Sequence, residues 1–270
     1  MRRILLSVLA ILPCTATAAP PVTSVGLHYE AFAHGLAILT LDVTMSLDPA
    51  GYEVRMSYRT TGLAHFLYPG EQADSVSGVW DGERAAPSQF DGSGVWGGRS
   101  HRVDIVYRQE HPVIVSLIPK MTEERDPVPP ELRVGTEDTL SAMAQLARHV
   151  GTDGTCNTSA RIYDGRRLSQ IDSRTIGMET LSASHRSLVS GTALRCDFVG
   201  QMLAGFLKED RGAAARRPLH GSAWFASIEG SPPLPVRLQF ETHWFGDVTM
   251  YLTAANIGQA AVRRTASTAP

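Results

Sequence analysis

Lysine, cysteine and long apolar runs are all scarce in this sequence, and each scarcity excludes something. Beyond Pro21 no segment is apolar for the roughly 20 residues that a membrane-spanning helix needs, so no transmembrane segment is expected in the mature chain. Lysine occurs only at Lys120 and Lys208, and arginine supplies the rest of the positive charge. The 25 basic residues stand against 27 acidic ones and form no basic stripe, which argues against nucleic acid as a partner. The nine histidines are scattered, with no His-Glu-x-x-His and no shared ligand spacing on one element, so no metal site is assigned. No Gly-x-Ser-x-Gly elbow is present for a serine nucleophile. No catalytic residue and no cofactor are assigned.

The amino terminus carries the first positive signal. Arg2 and Arg3 precede the short apolar run Ile4 to Leu12, and Ala16-Thr17-Ala18 supplies small residues for cleavage. That is the pattern of a secretory signal peptide over residues 1–18, with 19–270 as the mature chain. Cys14 raises a lipid-anchor alternative, but Pro13 stands where such a site wants a small residue. Loss of Arg2 and Arg3 leaves 23 basic residues against 27, a net charge of −4. The expected compartment is the periplasm. There Cys156 and Cys196 read as a disulfide. It would close a loop of about 40 residues, worth roughly 3–4 kcal/mol in the chain-entropy model. A redox pair would want closer spacing, and a metal pair more ligands nearby.

Hydrophobic periodicity near two dominates the mature chain. In GYEVRMSYRT, Tyr52, Val54, Met56 and Tyr58 alternate with polar residues, and Val103, Ile105 and Tyr107 repeat the pattern, as in half-buried antiparallel strands. PVRLQFETHWFGDVTMYLTAA reads as a hairpin turning at Phe245-Gly246-Asp247. Turn signals recur at the spacing of a meander, and roughly a dozen strands are expected. Glu123 to Gly135, charged and proline-rich, reads as an exposed, extended linker. In EDTLSAMAQLARHVG, Leu140, Met143, Ala144, Leu146 and Ala147 share one helical face, with Asp138 or Thr139 to cap the start and Gly151 to end it. GFLKEDRGAAARRP is a weaker helical stretch. The expectation is mainly β: a large antiparallel, curved or barrel-like sheet with one principal helix packed against it. Its parts are an N-terminal meander over 24–120, a linker over 121–136, the helix over 138–150 and a C-terminal meander over 155–258.

Two motifs invite function. GSGVWG gives Gly92, Gly94 and Gly97 the spacing of a dinucleotide loop, but a strand rather than a helix follows, so it reads as a hairpin turn. LAHFLYPG gathers Leu63, Phe66, Leu67 and Tyr68 without alternation. It reads equally as a pocket-lining loop or as a short buried helical turn. Asn157-Thr158-Ser159 matches a glycosylation sequon, which in a bacterial protein reads as a chance match.

CNTSARIYDGRRLSQID reads as a hairpin with Asp164-Gly165 at the centre of a tight turn. Tyr163 would then face Arg166, and the arginine would stack on the tyrosine ring. Arg161, Arg166 and Arg167 form an arginine cluster that could grip an anionic group or simply face solvent. LSAMAQLARHVGTDGTCNTSARIYDGRRLSQID, SGTALRCDFVGQMLAGF and LPVRLQFETHWFGDVTMYL, taken in order, resemble the bacterial exported family called domain of unknown function 3108. The resemblance supports the fold, the disulfide and export, and implies no activity.

The functional expectation is a non-enzymatic periplasmic β-sheet protein that binds a hydrophobic or lipid-like envelope ligand. Phe66, Leu67, Tyr68, Trp80 and Trp96 are the candidate lining, and Arg161, Arg166 and Arg167 the candidate polar contacts. A structural or interaction protein of the cell envelope is the second expectation. An envelope hydrolase is the third, and it would require a carboxylate, a histidine and an arginine in one cleft.

Overall fold

The computed structural model describes residues 24–120, 125–209, 216–242, 246–258 and 260–263. The signal-peptide assignment, Glu123 and Glu124 of the proline-rich stretch and Phe245 of the expected turn lie outside them, whereas Gly246 and Asp247 of that turn pair in a strand with Thr242 and Glu241. The first meander holds β1 (Ser24–Ala33), β2 (Leu36–Leu47), β3 (Gly51–Thr60), α1 (Gly62–Leu67), β4 (Gly70–Asp81), β5 (Arg84–Trp96), β6 (Arg99–Arg108) and β7 (His111–Ile118). Two helices follow, α2 (Pro130–Arg133) and α3 (Thr139–Asp153). The second meander holds β8 (Thr158–Tyr163), β9 (Leu168–Leu181), β10 (Gly191–Ala204), β11 (Leu219–Ala226), β12 (Leu234–Thr242), β13 (Gly246–Ile257) and β14 (Ala260–Arg263).

Every sequential strand pair within a meander is antiparallel, and β1 pairs with β13. That pairing makes the two meanders one sheet, in the order β7-β6-β5-β4-β3-β2-β1-β13-β12-β11-β10-β9-β8, with β14 beside β13. Alternation along β1 puts Val25, Leu27, Tyr29, Ala31 and Ala33 inside. Leu41, Val43 and Met45 of β2 continue the same face. A twisted sheet of this size curls on itself, and here it forms a nearly closed barrel.

The edges β7 and β8 do not pair. Residues 125–137 cover the seam, because an open edge is costly. Gly135 N–H donates to the Glu110 carbonyl of the β6–β7 turn. Glu137 N–H donates to the Arg161 carbonyl, and Tyr163 N–H donates to the Glu137 carbonyl, a parallel bridge to β8. The proline-rich stretch keeps Pro127, Pro130, Glu131 and Leu132 exposed, as its composition suggests, but backbone bonds tie it to the sheet. Val128 is 1% exposed and packs with Tyr163 and Leu168.

The expected helix forms as α3. Asp138 caps it by accepting from Ser141 N–H at 2.9 Å. Gly151 does not end it: the helix runs to Asp153, and Gly154 adopts the left-handed conformation (φ 65°) of a C-terminal cap. Leu140, Ala144 and Val150 are buried, and Arg148 reaches the Gly82 carbonyl and stacks on Trp80. The C-terminal half of α3 thus lies at the barrel end that carries the β4–β5 turn. The β1–β2, β5–β6 and β8–β9 turns lie with α1 at the opposite end. Of the weaker helical stretch, Phe206 is buried and Leu207 bridges to Arg125; residues 210–215 lie outside the described residues.

The β8–β9 register pairs Tyr163 with Leu168 and Ile162 with Ser169, so the loop is four residues, Asp164 to Arg167, rather than two. The reason is the Asp164 side chain, which accepts from the backbone N–H of both Arg166 and Arg167. The cation over Tyr163 is Arg133, at 5.4 Å, and not Arg166. In the glycine motif only Gly97 is in the turn, with Gly98. Gly92 and Gly94 lie inside β5, where a Cβ would meet Asp74 Oδ1 at 2.6 Å and Gln72 Oε1 at 2.3 Å.

Candidate ligand-binding site

The inner face is not filled evenly. Between α3 and strands β8 to β12 lies a cavity of about 250 Å³. Met143, Leu146 and Ala147 line it from the helix, Ile162 and Ile171 from β8 and β9, and Phe198, Phe225 and Leu238 from the far wall. The space exists because Ala142, Ala160 and Ala223 place only methyl groups where larger side chains would close it. Its lining is almost wholly hydrocarbon. An apolar cavity of about 150 Å³ already takes up benzene, whereas water needs polar partners to stay.

A second space, of about 310 Å³, adjoins the first and shares Thr139, Ile162 and Ile171 with it. It leads toward the α1 end between the β8–β9 turn and the start of β11. Asp164, Arg167, Gln201 and Arg217 make it polar. Arg167 pairs with Asp164 and Arg217 with Glu241, each at 2.7 Å. An apolar chamber behind a charged vestibule suits an amphiphile: hydrocarbon inside, polar group at the rim.

The residues expected to form the site are dispersed. Phe66 is 83% exposed and Leu67 70% exposed on α1, outside the barrel. Tyr68 and Trp96 are brought together, with ring centroids 6.1 Å apart, and Trp96 continues to Tyr58 at 5.7 Å. Trp80 lies at the other end against Tyr52, its indole N–H donating to the Asp48 carbonyl. The arginines do not converge. Arg161 donates to the Leu132 carbonyl, Arg166 to the Pro119 carbonyl, and Arg167 to Asp164. Of the whole set only Arg167 borders either space, and it borders the polar one alone. The cavity walls and Arg217 were not singled out by sequence; the one signal pointing to them was the apolar stripe of α3, which reads equally as core.

The start of α3 holds an acidic pair. Asp138 is fully enclosed and also accepts from the Ser141 hydroxyl, which itself accepts from the Tyr52 hydroxyl at 2.8 Å. Glu137 Oε2 is buried with no hydrogen-bond partner. Burial, with the charge of Asp138 adding to it, pushes the Glu137 carboxyl up to about 8. The Tyr107 hydroxyl is buried near Asp138 but outside hydrogen-bond geometry. Arg84, Glu110, Tyr107 and Glu137 border a small pocket of about 60 Å³. Among the described residues its lining includes no histidine, so the carboxylate–histidine–arginine set of a hydrolase is not assembled there. The Cys156–Cys196 disulfide is formed, Cα–Cα 5.8 Å, and lies buried with Val150, Ala223 and Phe225. It ties the base of β8 to β10, next to the cavity wall.

Three comparisons bear on this arrangement. The model of a family described as "Protein of unknown function (DUF3108)" matches residues 26–253. No curated protein matches. The crystal structure of a beta-barrel-like protein of domain of unknown function DUF1849 from Brucella abortus is similar in fold. Its TM-score is 0.54 at 10% identity, covering 88% of this chain and 99% of that one. A "putative lipoprotein" from Parabacteroides distasonis covers 85% of this chain and 93% of its own at 10% identity, with a TM-score of 0.31.

Proposed function

The chain belongs to the DUF3108 family of proteins of unknown function, and from that premise we propose that it is an exported, non-enzymatic binding module that holds a hydrophobic, lipid-like ligand beneath α3. The observation that carries the reading is the hydrocarbon-lined cavity of about 250 Å³, which adjoins a space bordered by charged side chains. Transfer of apolar surface from water into such a chamber is favourable by about 25 cal/mol per Å², and the preformed walls leave little ordering cost. The buried disulfide and the amino-terminal pattern both suit the periplasm.

The test is titration of the mature chain with a fluorescent long-chain fatty acid, beside Ala142→Phe. Ala142 faces the cavity from the helix, so the ring fills the chamber, at an overpacking cost of about 1–3 kcal/mol. The expected result is saturable binding by the native chain and at least about a tenfold loss in the folded variant. Equal binding by both would place the ligand elsewhere. Export is tested by cell fractionation with and without residues 1–18.

A further inference from the structure

We infer that the α1 end of the barrel docks on a membrane surface rich in anionic lipid, so that the vestibule opens against the bilayer. Exposed apolar side chains concentrate at that end. Leu63, Phe66 and Leu67 stand on α1, Leu36 opens β2 beside it, and Leu203 and Leu207 flank the β10 exit. The strand register places all of these at one end. The same end receives the vestibule, between the β8–β9 turn and the start of β11.

α1 is too short to be stable alone, yet it is held in place. Thr61 N–H donates to the Ile38 carbonyl, Gly70 N–H donates to the Thr60 hydroxyl, and Ala64 is buried beneath the helix. A tethered turn that buries its alanine and exposes its phenylalanine and leucines is built backwards for a free surface in water. It is built correctly for insertion at a headgroup boundary.

The charges select the partner. Arg59, Arg99, Lys120, Lys208 and Arg216 are exposed around this end, against exposed Glu71, Glu209 and Asp247. Each cation near an anionic bilayer contributes about 1 kcal/mol, which favours a lipid surface over a neutral protein groove. The apolar side chains are spread around a rim rather than gathered in one flat patch, which suits a fluid layer better than a second copy of this chain.

The experiment is co-sedimentation of the mature chain with vesicles of phosphatidylethanolamine and phosphatidylglycerol. Phe66→Asp/Leu67→Asp changes two side chains that touch little of the fold and is expected to weaken binding at least about tenfold. Met178→Asp, exposed on β9 toward the opposite end, is expected to bind as the native chain does. Ala142→Phe is expected to keep vesicle binding while losing the fatty acid, which separates this inference from the cavity reading. Native-like sedimentation of the double variant would overturn the inference. So would equal loss in Met178→Asp, loss in Ala142→Phe, or a native dimer that the double variant dissolves.

Discussion

Glu137 is the residue with the most to say about solution behaviour. Its carboxyl titrates at about 8 in the folded chain and near the ordinary glutamate value when unfolded. Between those values the folded state holds a proton that the unfolded state has released. Stability therefore falls as pH rises from about 4.5 to 8, by at most about 1.4 kcal/mol per pH unit from this group. Glu137→Gln should flatten that slope and raise the melting temperature at pH 8, as seen in thermal unfolding followed by circular dichroism. An unchanged slope would remove Glu137 as its source. Burial raises the Asp138 carboxyl as well, but two bonds from Ser141 occupy its oxygens and work against that shift. Asp138→Ala removes a cap and leaves the Ser141 hydroxyl without its acceptor. It should cost about 1–3 kcal/mol in denaturant unfolding. At this scale the sequence was partly readable. A cap at Asp138 or Thr139 was visible from their place before an apolar stripe, and the structure puts it at Asp138. The burial of Glu137 was not, because it comes from the closing of a seam between residues far apart in the chain.

At the scale of elements, the β8–β9 hairpin shows what local reasoning captures. An Asp-Gly pair between two apolar runs is a hairpin signal, and a hairpin forms. The loop length was misread because the Asp164 carboxylate collects two backbone N–H groups and widens the turn. A second constraint comes from outside the hairpin. Gly205 sits at φ 84°, and a Cβ there would lie 2.2 Å from the Arg166 carbonyl oxygen. Gly205→Ala should displace the Asp164–Arg167 loop, destabilise the fold by more than about 1 kcal/mol, and disturb the vestibule rim that Arg167 borders. Its readouts are denaturant unfolding and fatty-acid affinity; native values in both would show that the loop moves freely. The disulfide acts on a longer piece of chain, spanning 40 residues. Cys156→Ala/Cys196→Ala should cost about 3–4 kcal/mol in the chain-entropy model, measured against the oxidised native chain. α1 illustrates the converse. Its apolar residues were legible, but whether they faced a pocket, the core or solvent depended on β2 and β3 beneath them.

At the scale of the whole molecule, the pattern of alternation was enough to anticipate a curved antiparallel sheet with one helix packed on it. It could not show that β1 meets β13, that β7 and β8 remain apart, or that a proline-rich segment fills the gap. Those are pairings between distant parts of the chain, and the period of a strand is the same whichever neighbour it takes. The cavity was hidden for a related reason. Periodicity says which residues face inward; it does not say whether the volumes of Ala142, Ala160 and Ala223, contributed by three different elements, add up to a filled interior.

The central claim is that this interior holds a hydrophobic ligand, and native mass spectrometry of the mature chain purified from a periplasm tests it most directly. The account predicts a discrete added mass that leaves on denaturation, is recovered as a lipid by extraction, and is absent from Ala142→Phe. A bare mass for the native chain, together with failure to take up fatty acid afterwards, would contradict it.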